Sequence, residues 1–288
     1  MTTPRPYPEA MAEARHDGPV EGLGAVWSSL VALGHELTEA EFDLPTGCPG
    51  WTVRDQFSHV IGTELLLQAV GAPPASRADG PHVRNELGAL NERFVEARRH
   101  LPGHAVVAEL DELATRRLAA LRELDAEAEI ARSASPLELL PYVDYVSTRT
   151  IDAWIHEQDV RIATGCPGGH GGEAERMTLD RLEASLPYVL ARRVGAPCGT
   201  TLRVDVAGPL GRTVQLAVDA GADGAPRAIA TPVIDGWPTA VVRLEQATFV
   251  ARACGRISAT AARAAPRTET AGDAPLALAF LASMVVTA

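Results

Sequence analysis

The stretch Thr201–Gly221, TLRVDVAGPLGRTVQLAVDAG, decides the fold class, because it is where the chain changes from one periodicity to another. Leu202, Val204 and Val206 alternate with polar residues, as do Val214, Leu216 and Val218, which is the period of a half-buried strand. Gly208-Pro209-Leu210-Gly211-Arg212 between the two runs is a hairpin signature. Downstream, RAIATPVID (Arg227–Asp235) and TAVVRLE (Thr239–Glu245) predict two more strands, QATFVARACG (Gln246–Gly255) a short helix, ISATAA (Ile257–Ala262) a strand, and APLALAFLASMVV (Ala274–Val286) a buried terminal helix. Residues 198–288 therefore read as a small α+β domain.

Upstream the pattern is helical. Leu23, Val26, Trp27, Leu30, Val31 and Leu33 recur at three- and four-residue spacing between Glu21 and Leu37. The loop PTGCPGW (Pro45–Trp51) breaks the chain, and Thr52 with Asp55 restarts it as a capping-box pair, opening a helix to about Val70. After the loop GAPPASRADGP (Gly71–Pro81), helices are expected over Arg84–Leu101, Ala105–Leu124 and Leu139–Ala163. The Gly-rich GCPGGHGG (Gly165–Gly172) leads to a last helix, Glu173–Val194. The organisation is thus a Pro-containing lead-in (1–19), a helical domain (20–197) and the α+β domain (198–288), an α+β two-domain chain.

Composition narrows the function. Every one of the 26 basic residues is Arg, against 37 acidic ones, for a net charge of −11. Such a surface repels phosphate backbones and anionic lipid, so neither nucleic acid nor membrane is an expected partner. The absence of lysine removes Schiff-base and P-loop chemistry. Cys48, Cys166, Cys198 and Cys254 form no CxxC motif and read as reduced thiols. No apolar run reaches the roughly 20 residues of a spanning helix, and MTTPRPYPEAMAEARHDGP lacks a signal-like apolar stretch, so a cytoplasmic location is expected.

The remaining chemistry lies in His, Asp and Glu. In TIDAWIHEQDV (Thr150–Val160), Asp152 and His156 are four apart and share one helix face. Asp159 adjoins that face, whereas Glu157 is rotated about 100° from His156. A buried Asp–His pair needs a mutual hydrogen bond or a cation to offset desolvation. His59, among Phe57, Val60, Ile61, Leu65 and Leu66, is expected to face the bundle interior. It reads either as a satisfied core histidine or as a ligand from a facing helix. Two His and one carboxylate would leave open positions on a zinc or other divalent ion.

PTGCPGWTVRDQFSHVIGTE, TRTIDAWIHEQDVRIATG and RLEQATFVARACGR…GDAPLALAFLASMVV together resemble the mycothiol-dependent maleylpyruvate isomerase family. The resemblance implies a DinB-like four-helix bundle with extra helices, followed by a small sterol-carrier-like α+β module. It also implies a His, Glu, His metal triad that carries onto His59, Asp152 and His156, with Asp in place of the family's Glu. Arginines that hold an anionic substrate or thiol are implied as well, and Arg84, Arg93 and Arg256 are the candidates. The activity implied is that of a divalent-metal enzyme, with zinc the expected ion, in which mycothiol attacks a small electrophile in an S-transferase or cis-trans isomerase reaction. The readings left beside it are a hydrolase using metal-bound water, with Asp159 or Glu157 as base, and a non-catalytic small-molecule binding protein.

Overall fold

The computed structural model describes residues 9–68, 70–74, 80–123, 142–222 and 224–287. Its contacts divide the chain into two compact units, Met1–Met177 and Thr178–Ala288.

The first unit is helical: α1 (Glu9–Glu36), α2 (Val53–Leu67), α3 (Glu86–Glu96), α4 (Gly103–Glu123), α5 (Tyr142–Thr164) and the start of α6 (Glu173–Tyr188), with a single 3-10 turn at Glu41–Asp43. Helix α1 packs on α4 and α5, and α2 packs on α3, α4 and α5, so α1, α2, α4 and α5 share one apolar interior. Trp27, Leu30, Phe57, Ile61 and Leu110 fill it and are essentially inaccessible. Helix α3 lies close enough to α2 that a Cβ on Gly62 would collide with Phe94, so the small residue sets that approach.

Helix boundaries follow local chemistry. Asp55 Oδ2 accepts the Thr52 N–H at 2.9 Å, the expected cap at the start of α2. Helix α1 begins at Glu9 rather than Glu21, because EAMAEARH is built of good helix formers. Helix α2 ends at Leu67, short of Val70. Asn85 Oδ1 accepts from Gly88 N at 2.8 Å, which moves the start of α3 from Arg84 to Glu86. The predicted ends at Leu124 and Leu139, and positions 75–79 of the loop before α3, lie outside the described residues. The last predicted helix is interrupted near Pro187, which has no N–H to donate. An α-helix to Tyr188 gives way to a π turn over Val189–Arg193.

The second unit carries a five-stranded sheet in the order β3-β2-β1-β4-β5. Strands β1 (Thr201–Ala207) and β2 (Arg212–Ala220) are antiparallel, with Leu202 opposite Leu216 and Val204 opposite Val214. Strand β3 (Pro226–Ala230) forms one edge, and β4 (Ala240–Glu245) runs parallel to β1. Helix α7 (Gln246–Ala253) follows β4 directly. One expectation fails here: ISATAA is not a strand. Ser258 Oγ accepts from Ala261 N at 3.1 Å and caps helix α8 (Ala259–Ala264), whose alanines favour a helix. The fifth strand is instead β5 (Glu269–Gly272), antiparallel to β4. Helix α9 (Ala274–Ser283) is capped by Asp273 and stands three residues shorter than its apolar run. Among the described residues, no helix is long and apolar enough to cross a membrane.

Candidate metal centre

Helices α2 and α5 bring His59, Asp152 and His156 together. One potential ligand atom from each lies within 4.8 Å of the other two. His59 Nε2 stands 3.3 Å from Asp152 Oδ2, and His156 Nε2 stands 3.5 Å from Asp152 Oδ1. The two imidazole rings meet edge to face with centroids 4.4 Å apart. The histidine side chains are 6% and 8% exposed and that of Asp152 33%, so the carboxylate marks the side open to solvent.

The loop Pro45–Trp51, read in the sequence only as a break, closes the other side. Trp51 lies over both imidazoles, with centroids 4.9 Å from His59 and 5.8 Å from His156. Its Nε1 donates to Glu92 Oε2 at 2.9 Å. Glu92 is buried and also meets His82 Nε2 at 2.9 Å and Arg99 Nη1 at 2.7 Å. Gly50 adopts φ +80°, and His82 packs where a Cβ would stand.

The same loop fixes the tautomer of His156. Thr46 Oγ1 donates to Trp51 O at 2.9 Å, so it accepts from Gln56 Nε2 at 2.7 Å. The Gln56 carbonyl oxygen then faces His156 Nδ1 at 2.6 Å and can only accept. Asp159 Oδ2, at 3.4 Å from the same nitrogen, is a second acceptor. Nδ1 therefore carries a proton, and in the neutral ring the Nε2 lone pair points at Asp152. Two electron-rich atoms in that position require a proton or a cation between them. Two imidazoles and a carboxylate are a donor set that suits zinc and other divalent first-row ions, so the residues fit a metal.

The electrostatics agree. Burial, reinforced by neighbouring His156, pulls the His59 pKa down to about 4. Burial alone would raise Asp152, but His59 and the Arg149 guanidinium hold it well below the usual carboxylate range. For His156 burial is outweighed by Asp152 and Asp159, and its pKa is raised. Arg149 donates from Nη1 to Asp152 Oδ2 at 2.7 Å and from Nε to Glu64 Oε1 at 2.8 Å. Glu64, on α2, also meets Arg117 of α4 at 3.3 Å.

The three arginine candidates have different settings. Arg84 is exposed ahead of α3. Arg93 donates from Nε to Pro73 O at 2.9 Å and from Nη2 to Ala72 O at 3.2 Å, and so pins the loop before α3. Arg256 lies in the second unit and donates to Cys254 O at 2.8 Å. Glu157 turns away from the triad: it accepts from Ser29 Oγ at 2.6 Å and Arg161 Nε at 2.8 Å, and lines a separate cavity of about 540 Å³ with Trp154 and Glu175. Gln56, Trp51, Arg149 and Glu64 were passed over in the sequence. The spacing of Arg149 to Asp152, one helical turn, was the one local signal available for any of them.

A helical bundle that converges two imidazoles and a carboxylate in its interior belongs to the class of bundles whose chemistry is built between facing helices. Residues 23–161, which hold most of the helical bundle and all three converging side chains, match the family described as Mycothiol maleylpyruvate isomerase N-terminal domain. Two crystal structures of the mycothiol-dependent maleylpyruvate isomerase, one a His-to-Ala mutant, are similar to the chain over 94% of its length and 96% of theirs. Each is 18% identical, with TM-scores of 0.51 for the mutant and 0.50 for the other. At that identity the likeness establishes the fold. No curated protein matches the chain.

Proposed function

We propose that the chain is a divalent-metal enzyme that uses mycothiol against a small electrophile, as an S-transferase or a cis-trans isomerase. The observation that carries this reading is the convergence of His59, Asp152 and His156 with one side open at Asp152. Zinc is the preferred ion, because its protein ligands are commonly His and carboxylate and a three-ligand site leaves a position free. A divalent ion held there favours thiolate over thiol, from a reference pKa of about 8.5, and so makes sulfur nucleophilic at neutral pH.

The chain's own residues set the conditions for that chemistry. Gln56 holds His156 with its Nε2 turned to the ion position. Trp51 covers both imidazoles and keeps water from that side. Addition of the sulfur to an activated double bond, rotation and departure of the same sulfur would give an isomerase. Retention of the carbon–sulfur bond would give a transferase. The placement of Glu157 against Ser29 and Arg161 removes one of the two bases a hydrolase reading would use. The test measures zinc content and mycothiol-dependent consumption of a generic electrophile in the wild type, His59→Ala and His156→Ala. About one zinc per wild-type chain, lost in both variants along with the thiol-dependent rate, is expected. Equal metal and equal rate in all three would overturn the proposal.

A further inference from the structure

The guanidinium of Arg149 is buried at 5% exposure and shared between two carboxylates on different helices. Resting on the metal reading above, we propose that Arg149 is a positioning residue that fixes the Asp152 carboxylate as a ligand and ties it to Glu64 on the facing helix. Asp152 is the most exposed of the three candidate ligands, and among the described residues its carboxylate pairs with Arg149 and the two imidazoles. Without the 2.7 Å bond from Arg149 Nη1 to Oδ2, rotation about its side-chain bonds would swing the carboxylate toward solvent and away from His59 and His156. Arg149 is itself held in place by the 2.8 Å bond from its Nε to Glu64 Oε1. Glu64 is 1% exposed and is clamped from its other oxygen by Arg117. The chain of contacts Arg117–Glu64–Arg149–Asp152 therefore spans α4, α2 and α5 and ends on the carboxylate.

Two opposing effects act on cation binding. The Arg149 charge repels a cation and competes for Oδ2. The Glu64 charge, bonded to the same guanidinium, offsets part of that repulsion, although Arg117 on its other oxygen leaves the three-residue cluster with one net positive charge. What acts in favour of binding is orientation of the ligand. Partners that orient metal ligands are commonly worth 10–100-fold in metal affinity. An ammonium in place of the guanidinium keeps the charge but not the planar fork whose two fixed donors reach Glu64 and Asp152 in one geometry.

The deciding variant is the double substitution Glu64→Gln with Arg149→Met, which removes one positive and one negative charge and leaves the net charge of the region unchanged. It also avoids leaving the buried Glu64 carboxylate held from one oxygen by Arg117 and bare at the other, as Arg149→Met alone would do. Zinc affinity is measured on wild type, the double variant and Arg149→Lys by competition with a chromophoric chelator, alongside the visible spectrum of the cobalt-loaded proteins and the melting of the metal-free forms. Expected are roughly 10–100-fold weaker zinc binding in the double variant, an intermediate loss in Arg149→Lys, and altered cobalt ligand-field bands in both. Unchanged zinc affinity and unchanged cobalt bands in folded variants would overturn the positioning role, including when melting falls, since a purely structural ion pair predicts that result. A wild type that binds neither zinc nor cobalt would overturn the metal reading itself.

Discussion

On the metal reading proposed above, zinc uptake by this site is expected to release one proton between about pH 5 and 6, a number that follows from the environments of the three candidate ligands. Asp152 is held well below the usual carboxylate range and has no proton to lose. His59, pulled down to about 4 by burial and by His156, is already neutral. His156 is raised above its ordinary 6.5, so below that value its Nε2 keeps a proton that a cation must displace, while its Nδ1 proton stays on the ring and is donated to the Gln56 carbonyl oxygen. Apparent zinc affinity should therefore rise about tenfold, or about 1.4 kcal/mol, for each pH unit across that interval, and flatten once pH exceeds the His156 pKa. Calorimetric titration of the metal-free protein with zinc, in buffers of different ionisation enthalpy, counts the protons directly. Release of two would mean that His59 is protonated in the free protein. Release of none would mean that His156 is neutral there, and either result refutes the electrostatic reasoning.

Gly62→Val places a branched side chain against Phe94 at the contact of α2 and α3, and an overpacking loss of about 1–3 kcal/mol is expected from urea denaturation. A stability equal to wild type would show that α3 can move off α2 freely. Trp51→Phe keeps a ring over His59 and His156 but removes the donor to buried Glu92, which retains His82 and Arg99. A loss of about 1–3 kcal/mol is expected in the same assay, and no loss would show that the indole N–H is not needed by that carboxylate.

Much of the fold is legible in the sequence because its signals are local. The period-two runs of β1 and β2, the Thr52–Asp55 cap and the one-face spacing of Asp152 and His156 all lie within a few residues of one another. Where local signals compete, the reading fails. ISATAA alternates well enough for a strand, yet Ser258 caps a helix and the edge of the sheet is taken by Glu269–Gly272. Arg93 and Arg256 donate to backbone carbonyls, contacts that no spacing in the chain announces.

By itself the sequence determined most of the helices and four of the five strands, that the chain is acidic, and that Asp152 and His156 share a face. Only the tertiary structure decided that His59 meets them, that Gln56 sets the His156 tautomer, that Trp51 covers the rings, and that Arg149 joins Asp152 to Glu64. The physical reason is range. Helix and strand periodicity are written by neighbours two to four positions apart, whereas Gln56 and His156, or Glu64 and Arg149, lie 100 and 85 positions apart and come together only when apolar faces of separate helices pack.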